Sequence, residues 1–220
     1  MKIVCMIPAR SGSQRLKKKN FLKINNKSLV ERAVHKAVTS SAFDDVYINS
    51  ANEALLYEGE NAGAKVFKRS EELSNNTATS EDFIHDFLLR TDCDYVVQLH
   101  SIAPLITINE IKQFVEVIKK EAPDTLLSFE KIILEVFKGE QAVNFNMNSK
   151  TNSQDLEPLK MISWGISAWK KKSFLKAKSE NSCGTYAGKL KFFELKKLSN
   201  LVIKTEEDFN LIKHLAKYEY

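Results

Sequence analysis

The chain has 220 residues, and its 33 basic and 28 acidic residues give a formal net charge of only +5. Hydrophobic residues make up 43% of the sequence, which is typical of a globular domain and argues against a disordered or fibrous chain. The lysines are spread along the chain, and the sequence carries no helix-turn-helix pattern, zinc-finger spacing or RNA-binding aromatic motif. We therefore expect no nucleic-acid partner.

Apolar runs and cysteines indicate the compartment. No apolar run approaches the roughly 18 residues that a membrane helix needs, so no membrane association is expected. The N-terminus follows the pattern of a strand and not that of a signal peptide. Cys5, Cys93 and Cys183 are widely spaced without a Cys-x-x-Cys pair, which predicts neither a disulfide framework nor a zinc site. These features indicate a cytoplasmic protein.

Strand and helix patterns alternate along the chain, which predicts a single α/β domain over residues 1–220 with a mostly parallel sheet. The predicted strands are residues 3–7, 45–49, 65–68, 95–99, 125–129, 163–169 and 191–195. The predicted helices are residues 28–40 and 52–62, one opened by Ser80 as N-cap, 109–121 capped by Thr107, one starting at Ser173, and a C-terminal helix capped by Thr205.

Residues 131–159 interrupt this alternation. The segment is weakly periodic and rich in asparagine, with a short strand predicted at residues 142–145. We interpret it as an excursion from the domain, either a small arm that forms a dimer contact or a flexible loop.

The loop of residues 7–20 follows the first predicted strand, at the carboxyl end where open α/β sheets bind ligands. Its residues suited to phosphate are Arg10, Ser11, Gly12, Ser13, Arg15 and Lys19. The glycine allows close backbone approach to a ligand, the hydroxyl and backbone N–H groups donate to anionic oxygens, and the cations neutralise them. The P-loop and Gly-x-Gly-x-x-Gly spacings are both absent. The pattern predicts a polyphosphate site, and a solvated basic turn is the alternative.

Five segments, in order, resemble signature segments of the CMP-sugar synthetases, the acylneuraminate cytidylyltransferase family. They are residues 7–20, 69–80, 98–105, 164–165 and 202–209. The resemblance implies a three-layer, Rossmann-like nucleotide-diphospho-sugar transferase fold over the whole chain. It also implies transfer of a cytidylyl group from CTP to the anomeric hydroxyl of an acidic 2-keto sugar such as a sialic acid, with release of pyrophosphate. A homodimer formed through residues 131–159 is a further implication.

The same resemblance assigns roles to residues of this sequence. Nucleotide binding falls to Ala9, Arg10, Ser11, Gly12, Ser13, Arg15, Lys19, Asn20, Arg69, Ser80 and His100. Arg10 and Lys19 would also be catalytic, with Lys19 stabilising charge on the leaving group. Gln98, Trp164 and Gly165 would contact the sugar. Packing is the alternative role for His100 and Trp164, since a histidine at a strand end and a tryptophan beside a sheet commonly serve the core.

The sequence departs from the family at its acidic positions. Val202 and Lys204 stand where the family places two metal-linked aspartates. Ala51, Asn76, His100, Ile102 and Ile106 also differ from the residues that the family places there. The resemblance implies magnesium held by carboxylates, whereas this sequence offers no matched metal ligand.

Three explanations of these departures stay open. Glu206, Glu207 or Asp208 supplies the missing carboxylate, although helix capping also accounts for them. Alternatively, the enzyme has changed its acceptor or its metal use, with Lys204 as a fixed cation. In the third explanation, the chain is a homologue that binds CTP without turnover.

Overall fold

A seven-stranded sheet forms the middle layer of the computed structural model, which describes residues 1–12, 15–75 and 77–218. Ser13 and Asn76, both singled out above, lie outside the described residues. The strands in chain order are β1 (Ile3–Pro8), β2 (Lys23–Ile24), β3 (Lys27–Ser28), β4 (Asp45–Ser50), β5 (Lys65–Lys68), β6 (Tyr95–Leu99), β7 (Thr125–Ile132), β8 (Phe137–Lys138), β9 (Gln141–Ala142), β10 (Leu159–Lys170) and β11 (Leu190–Glu194). The α-helices are α1 (Leu29–Ser40), α2 (Glu53–Asn61), α3 (Ser80–Arg90), α4 (Ile108–Glu121), α5 (Lys171–Ser179) and α6 (Glu206–Leu215).

The spatial order of the sheet is β11-β7-β10-β6-β1-β4-β5. Strand β10 runs antiparallel to its neighbours β6 and β7, and the other four pairings are parallel, which confirms the predicted mostly parallel sheet. The chain moves from β1 outward to β4 and β5, and then returns to place β6 on the other side of β1. This reversal creates a switch point, where open α/β sheets bind ligands beyond the carboxyl ends of their strands.

Helices cover both faces of the sheet, and a separate apolar core lies on each. The first core joins the sheet to α1, α2 and α4, and the second joins it to α3 and α5. Strand β1 contributes to both, since residues 3–7 are almost wholly buried, as expected of a central parallel strand. Helix α6 packs in a third cluster with Ile203, Ile212 and Leu105. The three-layer α/β arrangement predicted from the sequence is confirmed.

Helix starts follow the capping rules, with two corrections. Thr107 and Thr205 form the capping boxes with Glu110 and Asp208 that start α4 and α6. The predicted N-cap Ser80 is wrong: Thr79 caps α3, because Asp82 three residues later completes its capping box. Helix α5 begins at Lys171 rather than at the predicted Ser173, whose hydroxyl donates to the Asp124 carboxylate.

The excursion is shorter than predicted, because β7 continues to Ile132 and β10 begins at Leu159. Between them β8 and β9 form a two-stranded hairpin, so the predicted strand at 142–145 is wrong in its bounds. Asn144 links the two ends of the segment by hydrogen bonds instead of extending the strand. Its amide nitrogen donates to the carbonyl oxygens of Leu134 and Glu157 at 2.8 and 2.9 Å.

No helix within the described ranges is both long and apolar enough to cross a membrane.

Candidate functional site

A cleft of about 310 Å³ opens at the carboxyl ends of β1, β5 and β6, at the switch point of the sheet. Eight of the residues predicted to bind nucleotide line it: Ala9, Arg10, Arg15, Lys19, Asn20, Arg69, Ser80 and His100. Pro8, at the end of β1, lines it as well. Ser101, Asn75 and Phe83 also line it and were missed by the sequence analysis. Of these, Ser101 was detectable, because it directly follows His100 beyond β6.

The loop after β1 is fixed at both ends by hydrogen bonds. The Ala9 N–H donates to the carbonyl oxygen of Asn49 at 3.0 Å, which continues the pairing of β1 with β4. Asn20 is buried; its amide nitrogen donates to the Arg10 carbonyl oxygen at 2.8 Å, and its amide oxygen accepts from the Ser101 hydroxyl at 2.7 Å. Asn20 therefore positions the loop against the end of β6.

Ser11 and Gly12 face a neighbouring recess of about 400 Å³, which they share with Arg10 and residues 50–54. A Cβ atom built on Gly12 would have no atom of the described residues within 4 Å, so these residues leave open space next to this backbone. The structure thus places the glycine where a ligand has room to approach, although beside the main cleft rather than inside it.

Arg69 is the buried cation of the cleft, with 4% of its surface exposed. Its Nε donates to the Ser74 hydroxyl at 2.9 Å, its Nη2 donates to the Ala9 carbonyl oxygen at 3.2 Å, and its guanidinium lies 4.7 Å from the centre of the Phe83 ring. Its Nη1 is buried and has no hydrogen-bond partner among the described residues. Burial, and then the charge of Arg10, lowers the pKa of Arg69 to about 10. A buried donor left unpaired is costly, which indicates a position for an acceptor supplied by a ligand or solvent.

Lys19 is half-buried and lines the cleft, close enough to His100 for its charge to lower the pKa of that ring. Its Nζ donates to the carbonyl oxygen of Ile203 at 3.0 Å, which joins the loop after β1 to the segment that precedes α6. Burial lowers the pKa of Lys19, and the positive charges of Arg15, Arg10 and Lys204 lower it further, against the opposing effect of Asp208. These cations lie close enough to repel one another, so an anion bound between them would relieve that repulsion.

His100 and Gln98 stand two residues apart on the same side of β6. The backbone N–H of His100 donates to the Gly165 carbonyl oxygen at 3.0 Å, and its Nε2 lies 2.5 Å from Nε2 of Gln98. With the amide nitrogen donating, this ring nitrogen accepts and the imidazole is neutral. Burial, and then the charge of Lys19, lowers the pKa of His100 to about 4, in agreement with a neutral ring.

Gln98 does not line the cleft, although the sequence analysis assigned it to the sugar. It is 1% exposed and lies beneath His100, with its amide oxygen unpartnered among the described residues. Asn49 Oδ1 and Ser167 Oγ are likewise buried without partners. Register places Gln98 beside Ser167, on the face of the sheet that packs against α3. Gln98 therefore contacts the His100 ring from beneath without lining the cleft itself.

Trp164 lines a separate recess of about 410 Å³ that shares Ser80 with the cleft. It has a φ of 58°, in the left-handed region, within the irregular part of β10 between Ile162 and Ser167. A tryptophan in this conformation is strained, and such strain concentrates at functional sites. Its ring meets Tyr186 edge-on at a centroid distance of 6.3 Å, so the two rings form an aromatic wall.

Gly165 serves packing rather than ligand approach. A Cβ atom there would lie 2.8 Å from Cδ1 of Ile106 and 3.3 Å from Cβ of Ala103. Both of those residues are buried in the first core. The absence of a side chain therefore lets β10 pack against the segment that follows β6.

Glu81 lies at the base of the Trp164 recess, in the first turn of α3. It accepts hydrogen bonds from Lys178 Nζ at 3.0 Å and from the Thr185 hydroxyl at 2.9 Å, and the Cys183 thiol lies 3.0 Å away. Burial acts to raise the pKa of Glu81. These contacts, together with a hydrogen bond from the Gly184 N–H, outweigh that effect and lower the pKa to about 2. Its charge is thus held between α3, α5 and the turn that follows α5.

The residues that line the main cleft offer no carboxylate to a magnesium ion, and two glutamates of the adjoining space, Glu53 and Glu71, line the neighbouring recess beside Arg10. No carboxylate lines the cleft, and the described residues contain no group of three or more histidine, cysteine, aspartate or glutamate side chains able to hold a metal. Oxygen ligands, chiefly carboxylates, are what magnesium selects. The carboxylate of Asp208 is close enough to Lys19 for its charge to act on the pKa of the lysine. Its Oδ2 already accepts from the N–H groups of Lys204 and Thr205, both at 2.8 Å.

Comparisons with known proteins identify the family and the fold of the chain. A family model described as Cytidylyltransferase matches residues 4–220. The N-acylneuraminate cytidylyltransferase of Streptococcus agalactiae serotype V is 30% identical over 226 residues, covering 98% of this chain and 54% of that protein. A pseudaminic acid cytidylyltransferase of Campylobacter jejuni is 33% identical over 122 residues, covering 53% of each chain. The chain thus spans about half the length of these curated relatives.

Among solved structures, a CMP:2-keto-3-deoxy-manno-octonic acid synthetase complexed with CTP superposes with a TM-score of 0.72. The superposition covers 100% of both chains at 16% sequence identity. At this level of identity the similarity shows a shared fold.

Proposed function

The chain belongs to the cytidylyltransferase family, and we propose that its cleft binds CTP and transfers the cytidylyl group to an acidic 2-keto sugar of the sialic-acid class. The names of its relatives support the choice of nucleotide and of sugar class. The observation that carries the proposal is the buried, unpartnered Nη1 of Arg69 in a cleft that Arg10, Arg15 and Lys19 also line. Unpaired donors and cations at strand ends suit a polyphosphate.

The proposed reaction is an in-line displacement at the α-phosphorus. The anomeric oxygen of the sugar forms a bond to that phosphorus, and the bond from the phosphorus to the bridging oxygen of the β-phosphate breaks. Pyrophosphate leaves, and the hydroxyl proton passes to solvent. Such transfers depend on positioning and on neutralising charge. In this cleft Lys19 and Arg10 would neutralise charge on the departing pyrophosphate.

The sugar would occupy the recess of Trp164 and Tyr186, which adjoins the cleft at Ser80. Stacked or edge-on aromatic rings bind the apolar face of a sugar, while hydroxyl groups are met by nearby polar side chains. Gln98 would act indirectly, by holding the His100 ring that faces the nucleotide.

Pyrophosphate release tests this proposal, measured with CTP, magnesium and a panel of keto-acid sugars. Release that requires one of the sugars and is lost in Lys19→Ala would support it. CTP binding by calorimetry, performed on the same preparation, separates the two steps. Intact CTP binding with no turnover on any sugar would contradict transfer.

A second candidate is a homologue that binds CTP without turnover. Val202 and Lys204 favour it, because they occupy the positions of two metal-linked acidic residues in the family that the sequence resembles. The same pair of measurements decides between the candidates, since they share CTP binding and differ in pyrophosphate release.

A homodimer and a cytoplasmic location complete the proposal. Leu134, Phe137 and Met147 of the excursion are 64%, 52% and 65% exposed, which suits an interface with a second copy. Light scattering should give a dimer for the native chain and a monomer for Leu134→Asp with Phe137→Asp; an unchanged mass would contradict this interface. All three cysteines are free, which suits a reducing compartment.

A further inference from the structure

We propose that the cleft holds a nucleotide triphosphate with fixed protein cations in place of a protein-bound divalent ion, with Lys204 as the added cation, so that binding does not require magnesium. The inference rests on the proposed function, because it concerns the same site. It goes beyond that function in assigning a role to Lys204 and a metal requirement to the binding step.

The peptide between Ile203 and Lys204 is clamped from both sides. Its carbonyl oxygen accepts from Lys19 Nζ at 3.0 Å, and its N–H donates to Asp208 Oδ2 at 2.8 Å. Ile203 is fully buried and its own N–H donates to the Ile102 carbonyl oxygen at 2.9 Å. Because Ile102 lines the cleft, this clamp fixes the backbone of Lys204 at the cleft edge, next to the Lys19 ammonium.

The carboxylates near this edge are already used by the fold. Asp208 closes the capping box of α6 with Thr205 and accepts two backbone N–H groups. Burial acts to raise the pKa of Asp208, but the two backbone donors outweigh it and lower the pKa. The negative charge of Asp208 is therefore stabilised by its capping contacts. Glu206 and Glu207 lie exposed in the first turn of α6, where negative charge is favourable. Asp208 therefore serves the cap, and Glu206 and Glu207 lie where the helix dipole favours negative charge.

The cations at the cleft and its edge have no carboxylate partner among the described residues, although Lys19 and Arg10 donate to the backbone carbonyl oxygens of Ile203 and Asn75. Among residues 1–12, 15–75 and 77–218, Arg10, Arg15, Lys19 and Lys204 form no ion pair, whereas lysines elsewhere do, as in the Lys178–Glu81 pair at 3.0 Å. Four unpaired positive charges that repel one another match the several negative charges of a triphosphate. A lysine neutralises such charge as a point charge, although it cannot bridge two phosphate oxygens as a metal ion does. The arrangement therefore supports binding more directly than it supports metal-assisted transfer.

The test is calorimetric titration of the full chain with CTP, once in EDTA and once in excess magnesium. We expect dissociation constants that agree within about threefold, since fixed cations already supply the neutralisation. In EDTA, Lys204→Ala should weaken CTP binding by about three- to tenfold. Lys172→Ala is the matched control, because Lys172 is exposed in α5, which starts at the opposite end of β6, and it should change nothing.

Inorganic tripolyphosphate in EDTA separates the inference from the proposed function. Binding of tripolyphosphate that Lys204→Ala weakens, with no binding of CTP, would support the cation site and contradict the choice of nucleotide. CTP binding only in magnesium would overturn the inference and leave the proposed function standing. Binding of neither ligand in EDTA would overturn the inference as well. Unchanged affinity in Lys204→Ala would remove Lys204 from the site.

Discussion

Two segments at the cleft hold their charges in opposite ways. The first wall, residues 8–12 and 15–20 after β1, contributes lining residues; the second wall, residues 201–208 before α6, does not line the cleft and meets it through the Lys19–Ile203 hydrogen bond. In the first wall, buried polar bonds of Asn20 and Ala9 fix the backbone, and the cations project without ion pairs. In the second wall, the carboxylate of Asp208 turns inward to cap a helix, and Lys204 remains at the edge. The comparison teaches that the proposed nucleotide site has a cationic segment open to a ligand, while Asp208 of the neighbouring segment serves the fold.

Replacing Arg69, which follows β5 and donates to the Ala9 carbonyl oxygen of the first wall, should have the largest effect. Arg69→Ala removes the buried guanidinium, so CTP affinity should fall by about 10- to 100-fold, the value of a lost charge-assisted hydrogen bond. The free energy of unfolding should also fall, because Ala9 and Ser74 lose a donor. Calorimetry and urea unfolding measure the two effects.

Arg90→Ala is the matched control for that variant. Arg90 also lies over an aromatic ring, 4.1 Å from the centre of Phe67, but it is exposed and outside the cleft. Equal losses of CTP affinity in Arg69→Ala and Arg90→Ala would show that folding, and not the site, is affected.

Lys19 joins the two walls, so its removal should weaken the contact between them. We expect Lys19→Ala to lower CTP affinity by about tenfold and Lys23→Ala, an exposed lysine of β2, to leave it unchanged. A titration that gives the native affinity for Lys19→Ala would exclude its role in holding phosphate.

Asp208 distinguishes a capping role from a metal-binding role in the second wall. Asp208→Asn removes a negative charge that partly offsets the positive charge of the cations, so CTP affinity should rise by about twofold. The same variant weakens the capping box and should lower the free energy of unfolding by about 1 kcal/mol. If Asp208 instead held magnesium, CTP affinity in magnesium would fall, and calorimetry would show it.

The smallest effect concerns pH. The pKa of His100 is lowered to about 4 in the folded chain, so the unfolded chain binds more protons between that value and the ordinary 6.5. The free energy of unfolding should therefore decrease as the pH falls through this window, and His100→Gln should flatten the dependence. Urea unfolding at several pH values measures it, with the exposed His35→Gln as control. An unchanged slope in His100→Gln would contradict the burial of a neutral ring.

Local patterns predicted the strands and helices in chain order and most of the first wall. The strand-then-loop pattern placed Arg10, Lys19 and Asn20 at one end of β1, because strand direction follows from chain order. The burial of individual side chains in the sheet could not be predicted in this way. Period-two alternation puts Gln98 and His100 on one side of β6, yet only packing against β10 decides that Gln98 is covered.

Other details depended on contacts between distant segments. Ser11 and Gly12 face the neighbouring recess because the loop is tied back through Asn20, and Gly165 packs against Ile106, which lies far from it in the chain. The choice of Thr79 over Ser80 as N-cap was accessible from the sequence. Asp82 lies at the third position after Thr79, as a capping box requires.

In the proposed site, Lys204 supplies positive charge that a protein-bound divalent ion would otherwise supply. Reversing the charge of Lys204 is the most direct test of this role. Lys204 is exposed, so Lys204→Asp should fold, and Lys172→Asp provides the same charge change away from the cleft. Calorimetry in EDTA should show CTP affinity reduced by about tenfold or more in Lys204→Asp, with magnesium restoring it. An affinity that equals that of the native chain, in EDTA and in magnesium alike, would contradict the account.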